Sequence, residues 1–428
     1  MENKIFTGII SDFDYKAMGI TKLDGVPVFL NGGIIGDKIE YIVTKEKKNF
    51  FEGEILKTLK NSKFRVESPC PYSEECGGCD FLEYDYQKTL TWKKEKVDNN
   101  FSKIAGLHEK AQNINESPKR FAYRNNMQFQ VRDGKVGLYK KNSRDIVDIK
   151  NCLMQSHNAN KILKILRSFK NLKELKTLGI RTNYRDEVMV ILSSKKRISK
   201  LNLLIGNLID ANVVSIYENI NKKNKFHYGE EFNLIYGNKY LEDKINDISY
   251  NLSPQSFFQI NRGQASKLYR RAMEYLDVSS QERIFDLYCG VGTLSLEIAK
   301  RGGNVIGVEI VDSAIEDARK NSEKNKLKAR FIRGKSEEIL EKLEENEKIR
   351  ADKILVDPPR KGLDKNLLEF LCKKEYKKIV YISCNPATLA RDLGILKEKY
   401  RLEKAEVFDL FPNTVHVECI ALIQRVKS

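Results

Sequence analysis

Three features of the sequence predict a multidomain α/β protein, with a small N-terminal β-barrel, a mixed α/β segment in the middle and an open, doubly wound α/β domain at the C-terminal end. The first is the run Ile284 to Gly292, IFDLYCGVG, a β-prone stretch ending in a glycine turn and followed by LSLEIAKRG, whose apolar positions recur at helical spacing. The second is the return of that rhythm afterwards. NVIGVEI, ARFIRGK, KILVDPPRKG and KIVYISCNP are apolar runs that end in charged, turn-forming or reactive residues, with helical stretches between them. The third is the N-terminal segment, where short β-rich runs are evenly spaced and Gly19, Gly25, Gly32, Gly33 and Gly36 mark corners.

Residues 1–60 read as FTGIISDFD, GITKLDG, VPVFLNGGIIG, DKIEYIVTKEKK and FFEGEILKTLK, the strands of a five-stranded, OB-like barrel suited to single-stranded nucleic acid. Lys45, Lys47, Lys48, Lys57 and Lys60 are available to a phosphate backbone, but acidic and basic residues balance over this segment, so contact requires a local patch. A central domain spans 61–255 and opens on SPCPYSEECGGCDF. Residues 84–107 have helical character; SPKRFAYRNNMQFQVRDGKVGLY then alternates like a strand, with a hairpin signal at Asp133-Gly134. Residues 156–171 read as helix, and TLGIRTNYRDEVMVILSS, VVSIYENI and FNLIYG as strands; Arg181 and Arg185 are candidates for RNA phosphate. The last domain, 256–428, is entered through SFFQINRGQASKLYRRAMEYL, which sets Phe257, Phe258, Gln259 and Asn261 just ahead of a helix.

Composition narrows the class. Of 428 residues 41% are hydrophobic and 32% charged, enough apolar material for more than one core. No run of about eighteen apolar residues occurs and MENKIFTG is not an apolar leader, so a cytoplasmic protein without a membrane partner is expected. No obligate protein partner is evident. The net charge of +17 favours a polyanion such as RNA. Eight cysteines in so long a chain do not suggest a disulfide scaffold. Three of them, Cys70, Cys76 and Cys79, share a short glycine-bearing loop, and Cys152 is the only distant cysteine before the C-terminal half; four such thiolates suit zinc and an iron–sulfur cluster equally.

The glycine turn carries Gly290 and Gly292 but lacks the third glycine of a dinucleotide fingerprint, which weakens any reading with a pyrophosphate. Glu309 ends the next strand, where one carboxylate accepts from both hydroxyls of a ribose. A nucleoside without pyrophosphate points to S-adenosylmethionine. Asp357 and Cys384 sit at the carboxyl ends of later strands, and His416 and Glu418 at the start of the last one. Together they permit methylation of uracil at carbon 5. That carbon is too weak a nucleophile until a thiolate adds at carbon 6, a role for Cys384. The proton left on carbon 5 must then depart, a role for Glu418, with His416 a poorer substitute. Asp357 accepts from ring nitrogen 3 or serves the cofactor, and Arg124, Arg360 and Gln259 are donors for the developing enolate. The base must leave its stack to be reached, and Phe257 and Phe258 are placed to hold it, unless they form only the domain seam. Singly, each residue has an ordinary alternative: a core thiol, a surface acid, a turn cap. Their joint arrival at strand ends favours one site.

SFFQIN, DLYCGVGT, VDPPRKG, SCNP and HVEC in this order, with CPYSEECGGC upstream, resemble the bacterial RNA 5-methyluridine methyltransferases, and specifically their 23S ribosomal RNA uracil-C5 branch, over essentially the whole chain. The resemblance implies a class I, Rossmann-like methyltransferase domain. It implies Cys384 as nucleophile, Glu418 as general base, Gln259, Tyr288, Glu309 and Asp357 as contacts of S-adenosylmethionine, and Cys70, Cys76, Cys79 and Cys152 as ligands of a [4Fe-4S] cluster. Residues 1–60 resemble the TRAM module, and residues 84–118 are expected to pack on the catalytic domain. The implied partner is 23S ribosomal RNA, free or partly assembled, modified at one or two uridines. Methylation of the transfer RNA T-loop and a non-catalytic RNA-binding or ribosome-assembly role stand as alternatives.

Overall fold

Apolar runs between residues 283 and 425 form the strands of one sheet, whose central members are buried on both faces, as strands covered by helices require, while Arg330–Arg333 and the first half of Tyr400–Phe408 are partly exposed. The strands are β1 (Arg283–Leu287), β2 (Asn304–Glu309), β3 (Arg330–Arg333), β4 (Lys353–Val356), β5 (Lys378–Ser383), β6 (Tyr400–Phe408) and β7 (Glu418–Arg425). The sheet, in this computed structural model, has the order β3-β2-β1-β4-β5-β7-β6, extended beyond β6 by the short strand Ile114–Asn115. β7 is antiparallel to its neighbours β5 and β6. The order reverses between β1 and β4, which opens a crevice outside their carboxyl ends. Residues 4–223, 227–374 and 376–426 are described.

The flanking helices are α1 (Arg262–Leu276), α2 (Thr293–Lys300), α3 (Asp312–Lys324), α4 (Lys365–Lys374) and α5 (Pro386–Leu396). Asn261 caps α1 by accepting from Gln264 N–H, and Asn385 caps α5, with Pro386 in its first turn. Alternate strand residues feed two cores. Phe285, Leu287 and Ile354 enter one, together with Val97, Phe101, Ala105 and Ala111; Ile284, Leu355 and Ile382 enter the other, with Phe258.

A second sheet precedes this domain. Its seven strands lie in the order Ile146–Asp148, Lys135–Tyr139, Asn126–Arg132, Leu175–Thr182, Val188–Ser194, Val213–Ile220 and Glu231–Gly237. Asp133 and Gly134 both take left-handed angles, φ 54° and 76°, as a tight two-residue hairpin demands. The two sheets meet at α1, where Arg262 Nη1 donates to the Thr182 carbonyl (2.9 Å) and Asn125 N–H to that of Ile260 (2.9 Å). Arg181 is not a surface phosphate ligand: it is buried and donates to the carbonyls of Ser253 (2.9 Å) and Ser256 (2.5 Å). Arg185 is likewise engaged, by Glu187 and Glu242.

The chain divides into two compact units, residues 94–412 with 416–428, and residues 1–93 with 413–415. In the latter, strands Ile5–Ile9, Asp12–Phe13, Gly19–Leu23, Val26–Leu30, Lys38–Glu46 and Phe51–Lys60 form a six-stranded sheet. The expected five-stranded TRAM-like barrel is not found. The first β-rich run splits in two; among the described residues Ile5–Ile9 pairs only with Lys38–Glu46 and Asp12–Phe13 only with Gly19–Leu23, so the sheet keeps two edges. A two-residue strand offers too short a ladder to close a barrel. Phe13, Phe81, Tyr84 and Trp92 build a separate aromatic cluster, with Trp92 Nε1 donating to Asp12 at 2.7 Å.

The expected [4Fe-4S] site is also corrected. Cys70, Cys76 and Cys79 are half-buried in a run of turns, closed by bonds such as Cys76 N–H to the Tyr72 carbonyl (2.8 Å), and Gly78 N–H donates to Cys76 Sγ (3.4 Å). Cys152 is buried in the larger unit, where its N–H donates to Asn160 Oδ1 at 2.8 Å. Among the described residues no group of three or more His, Cys, Asp or Glu side chains is arranged to hold a metal ion. Short spacing along a chain does not by itself converge side chains on one point. Among the described residues, no helix is long and apolar enough to cross a membrane.

Candidate active site

The carboxyl ends of β1, β2, β4 and β5 share one edge of the sheet, and antiparallel β7 begins there. Ser383 pairs with Cys419, so one further step of the register sets Glu418 across from Cys384. Val356 pairs with both Leu287 and Tyr381, which brings Asp357 and Tyr288 to the same edge. Asn385 joins two of the loops: its Nδ2 donates to the Arg360 carbonyl at 2.9 Å, and Thr388 Oγ1 reaches the same oxygen at 3.3 Å. Arg360 is exposed, and its Nη2 lies 3.4 Å from His416 Nε2.

Charge at this edge is finely balanced. Burial pushes the Cys384 thiol up to about 11, helped by the carboxyls of Glu418 and Asp357 and opposed by Arg360. Burial also raises Glu418 well above the carboxylate range, with Asp357 adding to the shift and Arg360 opposing it. Asp357 keeps some surface open to the cleft, yet burial of its carboxyl raises it too. Two buried carboxyls that feel each other do not both ionise readily, so each resists losing its proton. Tyr269 of α1 faces the group, raised chiefly by burial and then by Asp357, Glu418 and Asp286.

The turn after β1 is shaped for a ligand. Tyr288 has φ 68°, a conformation unusual for a bulky residue, and the N–H groups of Tyr288 and Cys289 both donate to the Val308 carbonyl (2.9 and 3.0 Å). Gly290, at φ 54°, has open space where a Cβ would point, whereas Gly292, at φ 82°, is packed on Phe331 and Ala318. Glu309 is oriented by three N–H groups, from Gly290 (3.1 Å), Ile310 (2.8 Å) and Val311 (2.9 Å). An uncluttered backbone beside a fixed carboxylate fits the nucleoside end of S-adenosylmethionine. Gln259 is buried at the seam, and Arg124, whose Nε is buried with no hydrogen-bond partner, lies beside it through a backbone bridge to Asn261. The phenylalanines separate: Phe257 is 71% exposed, while Phe258 is a core residue against Tyr250.

Asp286, absent from the sequence-based candidates, belongs to this edge. It is fully buried, takes a hydrogen bond from Ser295 Oγ (2.5 Å) on Oδ2, and leaves Oδ1 without a partner. Its only signal in the sequence is an acid inside an apolar strand just before a glycine turn. Burial lifts it to about 7, against the Ser295 bond. Because the native state holds this proton more tightly than the unfolded chain does, stability from this group is lost as pH rises from about 4 to about 7. Asp286→Asn should therefore be more stable than the parent at pH 8, by up to about 4 kcal/mol, and the gap should close towards pH 4; thermal melts at both pH values check this.

Residues 85–426 match the family described as tRNA (Uracil-5-)-methyltransferase. The chain belongs to this family. The enzyme is an S-adenosylmethionine-dependent RNA (uracil-C5)-methyltransferase. An uncharacterized RNA methyltransferase of Staphylococcus aureus (strain MSSA476) is 37% identical over 98% of both chains, and one of Clostridium tetani is 37% identical over 99% of this chain and 96% of its own. The crystal structure of the Pyrococcus abyssi tRNA (uracil-54, C5)-methyltransferase in complex with S-adenosyl-L-homocysteine superposes with a TM-score of 0.79 and 29% identity, covering 98% of this chain and all of that one. These findings overturn the 23S ribosomal RNA assignment: the family description and the solved relative both name transfer RNA. The motifs read from the sequence concern the methyl transfer and not the RNA that is presented.

Proposed function

We propose that the enzyme methylates carbon 5 of a uridine in the T-loop of transfer RNA, in the cytoplasm, through a covalent bond between Cys384 and carbon 6. The observation that carries this reading is the register that sets Glu418 opposite Cys384 at the sheet edge, next to the glycine turn. The choice of RNA is supported by the family match and the Pyrococcus enzyme's name.

Tyr288, Gln259, Glu309 and Asp357 would hold S-adenosylmethionine, with Glu309 taking the ribose hydroxyls. When bound, that group supplies an electrophilic methyl. Cys384 loses its proton to solvent, and the thiolate bonds carbon 6 as the carbon 5–carbon 6 double bond's electrons move into the ring's enolate, which makes carbon 5 nucleophilic. Arg124 and Arg360 donate to the uracil oxygens as negative charge builds on them. Exposed Phe257 stacks on the extruded base, while Phe258 supports it from the core. After methylation Glu418 accepts the proton from carbon 5, and the thiolate leaves carbon 6.

Supplying labelled donor with transfer RNA and ribosomal RNA, both from cells lacking this gene, tests the reading. Label is expected in a T-loop uridine; label confined to ribosomal RNA would overturn it.

A further inference from the structure

Some cationic side chains of the larger unit are met by carboxylates: Arg167 by Asp148, Arg262 by Asp243, Lys377 by Glu282 and Asp352. At one end of the seven-stranded sheet exposed cations gather instead. There Leu175 lies opposite Ser194, and Ser194 opposite Ile220, so three strand ends stand side by side. The loops that leave them are tied together. Ser199 donates to Glu174 through both N–H (2.8 Å) and hydroxyl (2.5 Å), Asn171 Nδ2 donates to the Ser199 carbonyl (3.0 Å), and Asn221 N–H donates to the Ser194 carbonyl (2.8 Å).

These loops hold Lys173, Lys195, Lys196, Arg197 and Lys200 on the surface, all exposed and, among the described residues, none in an ion pair. Lys176 beside them is held below the usual lysine range by burial and by Lys195. Glu174, the acid within the loops, is occupied by Ser199. Glu174 also feels Lys196, but five cations fixed around one acid still present a net positive field to a polyanion.

We infer that this end of the central sheet is a second docking surface for the substrate RNA, which takes up phosphates distant from the methylated base. The inference rests on the enzyme's action on RNA and not on which RNA it is. Strand Leu175–Thr182 has eight residues, so the surface lies about 25 Å from the strand's other end. That other end is where Arg262 and Asn125 join the sheet to α1 and to the segment carrying Gln259. An RNA that fills both places is anchored at two points, and phosphate contacts of this kind set register without reading sequence.

The test is the triple variant Lys195→Glu, Lys196→Glu and Arg197→Glu in the full chain, compared with the parent on whole folded transfer RNA and on a short single-stranded oligonucleotide of the target loop. Affinity for the whole RNA should fall at least tenfold at moderate salt, and the dependence of log K on log salt should become shallower by about two to three. Affinity for the oligonucleotide, kcat at saturating RNA and the melting temperature should be unchanged. The inference is overturned by an unaltered affinity and salt slope for the whole RNA, by an equal loss on the oligonucleotide, or by a loss seen only with anionic phospholipid vesicles. Should the parent methylate ribosomal but not transfer RNA, the proposed function fails, and the variant is then read on ribosomal RNA with the same outcomes.

Discussion

Replacing Cys384 by alanine should lower kcat at least about a thousandfold while leaving RNA binding close to that of the parent. Without the sulfur, carbon 5 of uracil stays too weak a nucleophile to accept the methyl group, and the thiols of Cys289 and Cys419 do not replace it: both are buried, and burial raises both well above the ordinary thiol range. RNA carrying 5-fluorouridine gives a sharper readout than turnover, because fluorine does not leave as a proton and the adduct is trapped. A gel-stable complex is expected from the parent and none from the variant. The thiol's shift to about 11 adds a pH dependence. The resting group is protonated at neutrality, so the rate of adduct formation should climb with pH through the neutral and mildly alkaline range. A variant that kept full turnover would remove Cys384 from the mechanism.

Glu418→Gln is expected to fail at the opposite end of the cycle. Loss of a general base lowers turnover roughly a hundredfold to ten-thousandfold, but addition of Cys384 does not require that base. An adduct with ordinary, unfluorinated RNA should therefore accumulate, visible as a slow-migrating band that carries the methyl label. Turnover reduced with no accumulated adduct would assign proton removal to another group, and His416, close to Arg360, would be the next to replace.

What could be read in the sequence depended on how local the determinant was. The glycine turn after β1, the Asp133-Gly134 hairpin and the arrival of Asp357 and Cys384 at strand ends each follow from a few neighbouring residues, and each is found where it was expected. Closure of the N-terminal sheet was not legible, because it depends on whether Ile5–Ile9 and Asp12–Phe13 find partners across the sheet. The cysteine loop misled for a related reason: spacing describes the chain and not the direction of its side chains. Phe257 and Phe258 are identical as letters, yet one is exposed and the other fills a core, since adjacent residues before α1 point to opposite sides. Arg181 looked like surface charge and is a buried tie between carbonyls. Asp286 was passed over because a carboxyl between Phe285 and Leu287 reads as an irregularity in a strand until its burial is seen.

The place of β7 in the sheet has a consequence for how the enzyme comes into being. Its strand is the last of the sheet to emerge from the ribosome, yet it slots between β5 and β6, both made earlier. Until it inserts, those two have no shared partner and the acid facing Cys384 is missing. During synthesis the chain can thus assemble its nucleotide half before its proton acceptor arrives, and a message cut short before codon 418 would yield a protein that lacks the group assigned to release the adduct.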